Sequence, residues 1–391
     1  MAGTTSTATV ATPAQPQTTV EPTGGPFIRH SEPGKGRIYD LTSLAFGALI
    51  NQPLTALPGY ASKFRLRFVA SGGVNGISAT LGGNPDAPEN VVSLITLWDA
   101  LGTPIVSGPG FEILRLIPMF SGGFGLGKEA DTHNLPSFSA ISTGTQSTGA
   151  FTFNTAIPLE FAKGYGVLGM ADGDVLPKLQ IQLAGSASVY ATAPSVTVPT
   201  LEVRLNADYY WLPQGQGIAP PGLGTTRQWF LQQGNPQPAA STTATVTIPR
   251  QGGWLDTIIF ICRDANGIRQ DSWPSIFRFA LDGIGEISTN IDEVYDDMAI
   301  AWGIGSFNSA TGTAAVPRPT GVIALSRKTS LGQQVLGLLD TYEVALSTSP
   351  GTSMTIEGAP WGSGGNGPYT INALLGQVIP SGTLIQGLEE V

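Results

Sequence analysis

Short alternating segments recur along nearly the whole chain and constrain its fold more than any other feature. In "KFRLRF" (63–68), "KLQIQL" (178–183) and "LEVRLNAD" (201–208), apolar residues alternate strictly with polar ones. A period of two is typical of β-strands with one buried face and one wet face. Gly, Pro and Asn stand between most of these segments, whereas repeated βαβ units would need helical patterns of about 10–15 residues there. The chain is therefore predicted to be an all-β sandwich or barrel.

Further strands are predicted from apolar or alternating runs in both halves of the chain. They cover residues 90–102, 111–120, 149–161, two strands within 242–270, and 275–283, 321–329, 341–349, 353–358 and 369–380. Asn266-Gly267 is a strong signal for a hairpin turn. Residues 94–105 and 257–269 share one order, an apolar strand, an Asp, a Gly turn and a returning strand, which suggests a weak internal repeat.

The strand that ends near residue 212 is followed by a Gly/Pro/Gln stretch, residues 213–226, after which the same pattern of strands begins again. A length of 391 residues fits two or three domains. We therefore predict two β-domains, residues 26–212 and 227–391, joined by a linker over 213–226. Residues 1–25 are rich in Thr, Ala and Pro, cannot bury enough apolar surface to offset their ordering entropy, and are predicted to form a flexible arm.

One segment, residues 290–303, has the pattern of an amphipathic helix. Asn290 suits the N-cap, and acidic residues follow in the first turn. The apolar stripe expected to face the core comprises Ile291, Val294, Tyr295, Met298 and Trp302, with Val294, Met298 and Trp302 as its centre. The acidic residues are Asp292, Glu293, Asp296 and Asp297. A solvated helix face explains these carboxylates better than a cation site, which would need more oxygen ligands.

Composition narrows the range of functions. The net charge of −9 does not suit a general coat for nucleic acid, which needs basic residues to neutralise phosphates. A single cysteine, Cys262, excludes an internal disulfide framework and a Cys-based zinc cluster. It lies in an apolar strand and is expected to be a buried, inert thiol. The first residues lack the basic and apolar regions of a signal peptide, and no run of about 18 apolar residues predicts a transmembrane helix.

Candidate catalytic and ligand-binding motifs are weak. Gly122, Gly127 and Lys128 fit the spacing of a phosphate-binding loop, but Glu129 stands where Ser or Thr must hold Mg²⁺, so a Gly-rich surface loop is the better interpretation. The two histidines, His30 and His133, come without a G-x-S-x-G nucleophile motif. We therefore predict no enzyme activity, no catalytic residues, no cofactor and no metal.

An aromatic run, Tyr209, Tyr210 and Trp211, ends the strand before the linker. Such side chains can stack on sugars or bases. Packing at a domain junction or at a subunit contact explains them more simply, because aromatic groups bury a large area there. We assign them to such a contact.

Residues 149–185 and the strand 201–213 resemble one known protein family. The resemblance is carried by Ile157-Pro158-Leu159, by the step from Gly166 to Leu168, by the alternating strand from Pro177 to Leu183, and by the strand 201–213 with its final Leu-Pro. In order and size, the chain is similar to the double jelly-roll major capsid proteins of tailless phages with an internal membrane, the tectivirus-like lineage. That likeness implies two fused jelly rolls, each an eight-stranded β-sandwich or barrel, with short helical insertions.

The resemblance also implies a structural role. Three chains would form a pseudo-hexameric tile, and tiles would close an icosahedral shell around an internal membrane, so the protein would be made in the host cytoplasm and reside in the virion. Its partners would be other copies of itself, penton proteins and minor capsid or membrane proteins, without sequence-specific nucleic acid. Whether the N-terminal arm touches the membrane stays open. The alternative is a secreted or surface β-sandwich module that binds a carbohydrate or another ligand.

Overall fold

Strands dominate the structure, a computed structural model. It describes residues 25–76, 81–121, 138–139, 141–144, 147–161, 164–174, 176–211, 218–220, 224–234, 244–248, 253–281, 284–302, 304, 307–308, 313–314, 318–326, 346–348, 354–359, 361 and 367–379. The predicted arm over 1–25, except its last residue, and the Gly-rich loop with Lys128 lie outside these ranges.

The first half of the chain supplies two layers of strands and several short helices. Its strands are β1 (Glu32–Leu44), β2 (Leu49–Ile50), β3 (Tyr60–Ser71), β4 (Gly82–Gly83), β5 (Val92–Trp98), β6 (Pro104–Gly108), β7 (Phe138–Ser139), β8 (Phe151–Pro158), β9 (Leu168–Gly169), β10 (Lys178–Leu183), β11 (Tyr190–Thr192) and β12 (Thr200–Trp211). Its helices are α1 (Gly25–His30), a 3₁₀ turn (Glu89–Val91), a π-helical segment (Phe111–Leu116) that continues as α2 (Ile117–Phe120), and α3 (Ser186–Val189).

These strands form a jelly roll. One sheet has the order β1-β12-β3-β8-β7, and the strands β2-β10-β5-β6 face it in a second sheet. When the eight principal strands β1, β2, β3, β5, β6, β8, β10 and β12 are lettered B to I in chain order, the two sheets have the orders B-I-D-G and C-H-E-F. These are the two four-stranded layers of an eight-stranded jelly roll.

The second half repeats this arrangement. Its strands are β13 (Thr226–Gln233), β14 (Ala244–Ile248), β15 (Gly253–Arg263), β16 (Ile276–Leu281), β17 (Ile284–Asn290), β18 (Phe307–Asn308), β19 (Thr313–Ala314), β20 (Val322–Ser326), β21 (Leu346–Thr348), β22 (Met354–Ala359) and β23 (Thr370–Ile379), with the helix α4 (Ile291–Trp302). The orders β13-β23-β15-β20 and β14-β22-β16-β17 are again B-I-D-G and C-H-E-F. The predicted all-β fold of two jelly rolls with short helical insertions is confirmed.

One nine-stranded sheet runs through both jelly rolls. β6, the F strand of the first jelly roll, pairs in parallel with β13, the B strand of the second, through Trp229 opposite Val106 and Phe230 opposite Ser107. The first C-H-E-F sheet and the second B-I-D-G sheet are therefore continuous. β12 ends at Trp211 and β13 begins at Thr226, on either side of the proposed linker 213–226; the exact domain limits stay a prediction.

Each jelly roll buries its core between its two sheets. In β3, Phe64, Leu66 and Phe68 are buried and alternate with basic residues that point outward. Phe68 stacks on Phe153 of the neighbouring strand β8, with 4.8 Å between the ring centroids. In the second jelly roll, Phe260 of β15 packs against tilted aromatic rings of β16 in the facing sheet. Each such side chain contributes about 1.5–3 kcal/mol of burial free energy.

The prediction of a strand over residues 111–120 is wrong, because this segment is helical. Nearly all of its side chains are buried, so it lacks the polar face whose spacing distinguishes a helix from a strand. Pro118 has no N–H for a sheet ladder, but it fits the start of α2. The hydroxyl of Thr155 in β8 donates a hydrogen bond to the Leu114 carbonyl, which ties the helix to the G strand.

The suggested internal repeat is a repeat of a turn and not of equivalent strands. Asp99 Oδ1 accepts backbone N–H bonds from Leu101 (2.9 Å) and Thr103 (2.7 Å). Asp264 Oδ1 likewise accepts such bonds from two residues of its own turn, at 2.8 and 2.9 Å, and the predicted turn at Gly267 is confirmed with φ of 76°. However, the first turn joins strands E and F of its jelly roll, whereas the second follows strand D.

Candidate functional site

The junction between the two jelly rolls combines apolar packing with shielded ion pairs. It is built from β6, β13, the helical segment 111–120, the residues that precede β5, and the turn that follows β15. At its centre, Ile113 and Leu231 both lie against Gly108, where a Cβ atom would come within 3.0 Å of Ile113 Cδ1. The missing side chain lets Ile113 of the helix pack closely on β6, at the point where Leu231 of the second jelly roll adjoins it.

Two arginines of the second jelly roll hold one carboxylate of the first. Arg263 Nη1 donates to Asp86 Oδ2 at 2.6 Å, and Arg269 Nε donates to Asp86 Oδ1 at 2.6 Å. Arg263 Nη2 also donates to Glu112 Oε1 at 2.8 Å. The Arg269 guanidinium lies 4.1 Å from the centre of the Phe111 ring, within cation–π range. These contacts fix both the distance and the orientation between the two halves.

The junction is largely shielded from water. Glu112 is buried, and the side chain of Arg263 is only 15% exposed. Burial alone would lower the pKa of Arg263, but the charges of Glu112 and Asp86 outweigh it, so the pKa is raised above its usual value. Nearby, burial raises the pKa of Glu89, and Arg115 at 3.4 Å opposes this only in part. Because removing one partner leaves a buried charge uncompensated, such clusters are costly to break.

The predicted helix over 290–303 is confirmed as α4, and it reaches the junction. Val294 and Met298 are buried, and the Ala324 N–H of β20 donates to Met298 Sδ at 3.3 Å. Trp302 is half-buried and meets Phe120 of the first jelly roll edge to face, with 5.2 Å between the ring centroids. The helices that follow strand F in the two jelly rolls therefore touch at their ends.

The side of α4 that faces away from the core carries its acidic residues. Asp292, Glu293 and Asp296 are exposed, and Asp297 is half-buried. On the opposite flank, the guanidinium of Arg318 lies 4.0 Å from the centre of the Tyr295 ring.

The aromatic run before the linker packs against the start of the same jelly roll. The Tyr210 hydroxyl donates to the Glu160 carboxylate, with both oxygens at 3.1 Å. Phe27 of α1 meets Tyr210 edge to face at 5.8 Å, and Trp211 pairs with Glu32 in β1. Burial, and then Glu160, raises the pKa of Tyr210 to about 12. Tyr209, Tyr210 and Trp211 remain half-buried, so their role in a junction or subunit contact stays a prediction.

Within the described ranges, no three His, Cys, Asp or Glu side chains are placed to hold a metal ion. His30 is exposed, and His133 lies outside those ranges. Cys262 is buried as predicted, and burial raises the pKa of its thiol to about 12. No helix among the described residues is long and apolar enough to span a membrane.

Sequence reasoning did not identify the residues of the junction. Asp86 and Glu112 carry no motif. Arg263 and Arg269 flank the predicted turn at Asn266-Gly267, and this pair of cations around a turn was the only local signal that could have drawn attention to it.

Comparisons with known proteins identify the fold. No protein-family model matches the chain, and no curated protein matches its sequence. Among solved structures, the crystal structure of the STIV MCP, from Sulfolobus turreted icosahedral virus, is similar with a TM-score of 0.61 and 12% identity over 89% of this chain and 97% of that chain. The PBCV-1 virus capsid is similar with a TM-score of 0.57 and 10% identity over 89% and 93%. Both share the double jelly-roll fold with this chain.

Proposed function

We propose that this chain, a double jelly roll, is a structural major capsid protein whose copies associate into homotrimers and tile an icosahedral viral shell. The observation that carries this proposal is the junction, where a continuous sheet and a shielded ion cluster hold two jelly rolls at one fixed angle. Two solved structures of the same fold, the STIV MCP and the PBCV-1 virus capsid, are of viral capsid proteins.

The physical reason lies in the demands of a closed lattice. A shell built from many copies needs a tile whose outline does not vary, because small angular errors accumulate from tile to tile. Two jelly rolls fixed side by side give each chain two similar wedges, and three chains then give six wedges around a pseudo-sixfold axis. A flexible linker alone would not define the angle between the wedges, whereas the contacts of Arg263 and Arg269 with Asp86 do.

Several finer features belong to the same proposal. The shell would surround an internal membrane, as in the tectivirus-like lineage, and would include penton and minor capsid or membrane proteins. The protein would act in the virion without enzymatic activity or a cofactor. The low fraction of charged residues, 12%, suits large interfaces between subunits, which are depleted of charge.

The test is to produce the full chain and to measure its native mass and its particles. We expect a stable trimer by sedimentation at micromolar concentration, and icosahedral particles in electron micrographs of native material. A stable monomer that binds a glycan array would overturn the proposal in favour of a surface binding module.

A further inference from the structure

The junction inside the chain shows how one jelly roll receives another. The helix after strand F of the first jelly roll, residues 111–120, reaches the second B-I-D-G sheet and its turn with its first three residues, and Phe111 lies against Arg269. Glu112 contacts Arg263 at the end of β15, and Ile113 lies close to Leu231 of β13. The contact therefore has two sides, the helix after strand F and the outer B-I-D-G face beside strand B.

Each chain carries a second pair of such surfaces that do not meet each other. The helix after strand F of the second jelly roll is α4, and the other outer face belongs to the first B-I-D-G sheet. In the described part of the chain, no strand pairs with the outer edge of β17 or of β1. At the β1 edge, the Ile38 carbonyl is satisfied by a side chain and not by a strand, because the Thr55 hydroxyl donates to it at 3.1 Å.

Strand registers show which residues lie beside one another on each of the two outer faces. In the second sheet, Gly376 of the I strand pairs with Trp229 of the B strand. In the first sheet, Asn206 of the I strand pairs with Arg37 of the B strand. The B strand therefore contributes a buried Trp to the outer face of the second sheet and an exposed Arg to that of the first.

The D strands show the same exchange of an apolar side chain for a cation. Leu374 of the I strand pairs with Ile259 of the D strand in the second sheet, and Arg204 of the I strand pairs with Arg67 of the D strand in the first. Ile259 is buried, whereas Arg67 is exposed. Where the second sheet presents apolar groups at the junction, the first presents mainly cations to the outside, of which Arg65 and Arg204 pair with carboxylates of the same face.

Three exposed cations define a basic face on the first B-I-D-G sheet, Lys35, Arg37 and Arg67. Within the described residues, Lys35 and Arg67 have no carboxylate partner. Arg37 contacts Asp40 at 3.7 Å, and its side chain is 66% exposed. An exposed pair of this kind contributes little, so Arg37 stays accessible to another partner.

The outward side of α4 carries the complementary charge. Its acidic stripe comprises Glu293, Asp296 and Asp297, spaced three and four residues apart on one side of the helix. Burial, then Asp296, then Glu293 raise the pKa of Asp297, and no cation pairs with these carboxylates in the described part of the chain. The stripe ends at Ile300, whose side chain is 76% exposed. Like charges at this spacing on a helix destabilise it.

We propose that the acidic stripe of α4 docks on the basic face of a second copy of this chain. The contact repeats between subunits the arrangement that joins the two jelly rolls within one, with ion pairs in place of apolar packing. This inference rests on the proposed function, because it names the surfaces through which the capsid subunits associate.

Charge reversal in the full chain tests the pairing. Arg67→Glu alone, or Asp296→Lys alone, should weaken self-association by about tenfold or more at moderate salt, because like charges then face each other. Combining both changes in one chain should restore association to near the wild-type level. Asp172→Lys, in an exposed turn that belongs neither to the acidic stripe nor to the three cations of the basic face, is the matched control and should leave association unchanged.

Cross-linking gives a second measurement that does not depend on affinity. In a Cys262→Ala background, a chain with Arg67→Cys and Asp296→Cys should form covalent multimers when treated with a short bifunctional thiol reagent. The pair Arg67→Cys and Asp172→Cys should form far fewer. Circular dichroism and the melting temperature establish that each variant is folded before association is measured.

The outcomes separate this inference from the proposed function. A wild-type chain that stays monomeric would overturn the proposed function and this inference with it. A wild-type trimer that is indifferent to both reversals and yields no cross-link would overturn the docking surface alone. Weakening by each reversal without rescue in the combined chain would also count against direct pairing.

Discussion

Asp86 and Arg263 are 177 positions apart in the chain, and their side chains meet at 2.6 Å. The contact spans the two jelly rolls, and Arg269 completes it by binding the other Asp86 oxygen. One carboxylate thus connects a loop of the first jelly roll with both sides of a turn in the second. A single substitution of Asp86 should therefore test whether the ion cluster holds the two jelly rolls together.

Asp86→Asn should destabilise the subunit by about 3 kcal/mol, because it leaves two partly buried guanidinium groups without their shared carboxylate. Chemical denaturation followed by tryptophan fluorescence measures the loss. Asp40→Asn is the control, since Asp40 pairs with Arg204 at an exposed site and should cost about 1 kcal/mol or less. If both variants lose the same free energy of unfolding, the ion pairs of Asp86 stabilise the subunit no more than an exposed pair does.

Much of the fold could be predicted from the sequence, because strict alternation is a local property of each strand. β3, β10 and β12 were found in this way, and the stripe of Val294 and Met298 located α4. The helix over 111–120 could not be predicted, because nearly all of its side chains are buried and its sequence therefore lacks the apolar–polar periodicity of a surface helix. The ion pairs of the junction could not be predicted either. Asp86 lies in a loop, and its arginine partners are far away in the sequence, so only the tertiary structure brings them together.

Trp302→Ala should destabilise the subunit by about 2–3 kcal/mol. Trp302 is half-buried and makes an edge-to-face contact with Phe120, so its loss removes both burial and the aromatic contact. A double-mutant cycle with Phe120→Ala should give a coupling free energy of about 1 kcal/mol. The exposed Ile300→Ala on the same helix is the control, and its effect should stay within about 0.5 kcal/mol. Zero coupling in the cycle would mean that the two helices are independent.

Asp271 should make the stability of the second jelly roll depend on pH. Burial alone would raise the pKa of Asp271, but hydrogen bonds from Arg318 and the Gly321 N–H outweigh it, so the pKa is lowered. A carboxyl group whose pKa is lower in the folded state stabilises that state above its unfolded pKa, and this contribution disappears as the pH falls through the folded pKa. The melting temperatures of wild type and Asp271→Asn should therefore differ at neutral pH and converge in acid. A difference that does not change with pH would contradict the ionic role.

Cys262 should be unreactive in the folded protein. Burial raises the pKa of its thiol to about 12, and the side chain is enclosed in β15, so both the thiolate and the access needed for alkylation are missing. Iodoacetamide at pH 8 should label the chain only after denaturant is added, which mass spectrometry detects directly. Cys262→Ala should cost about 1 kcal/mol and leave assembly intact. Rapid labelling of the native protein would place this strand outside the core.

The close approach of backbone segments at the junction gives the sharpest steric prediction. A Cβ atom on Gly110 would stand 2.1 Å from the Glu89 carbonyl oxygen and 2.7 Å from that of Val92. Because both obstacles are backbone atoms, no side-chain rotation can relieve the clash, and the helical segment 111–120 would have to shift away from the loop that holds Glu89. Gly110→Ala should therefore destabilise the subunit by about 3 kcal/mol or more, beyond ordinary overpacking.

Gly173→Ala is the matched control, since no heavy atom lies within 4 Å of its added Cβ. It should be neutral or slightly stabilising, through the lower entropy of the unfolded chain. Thermal unfolding of both variants, together with their native mass, separates loss of fold from loss of assembly. If Gly110→Ala melts like Gly173→Ala, the loop that holds Glu89 and the helical segment 111–120 are not in the close contact described.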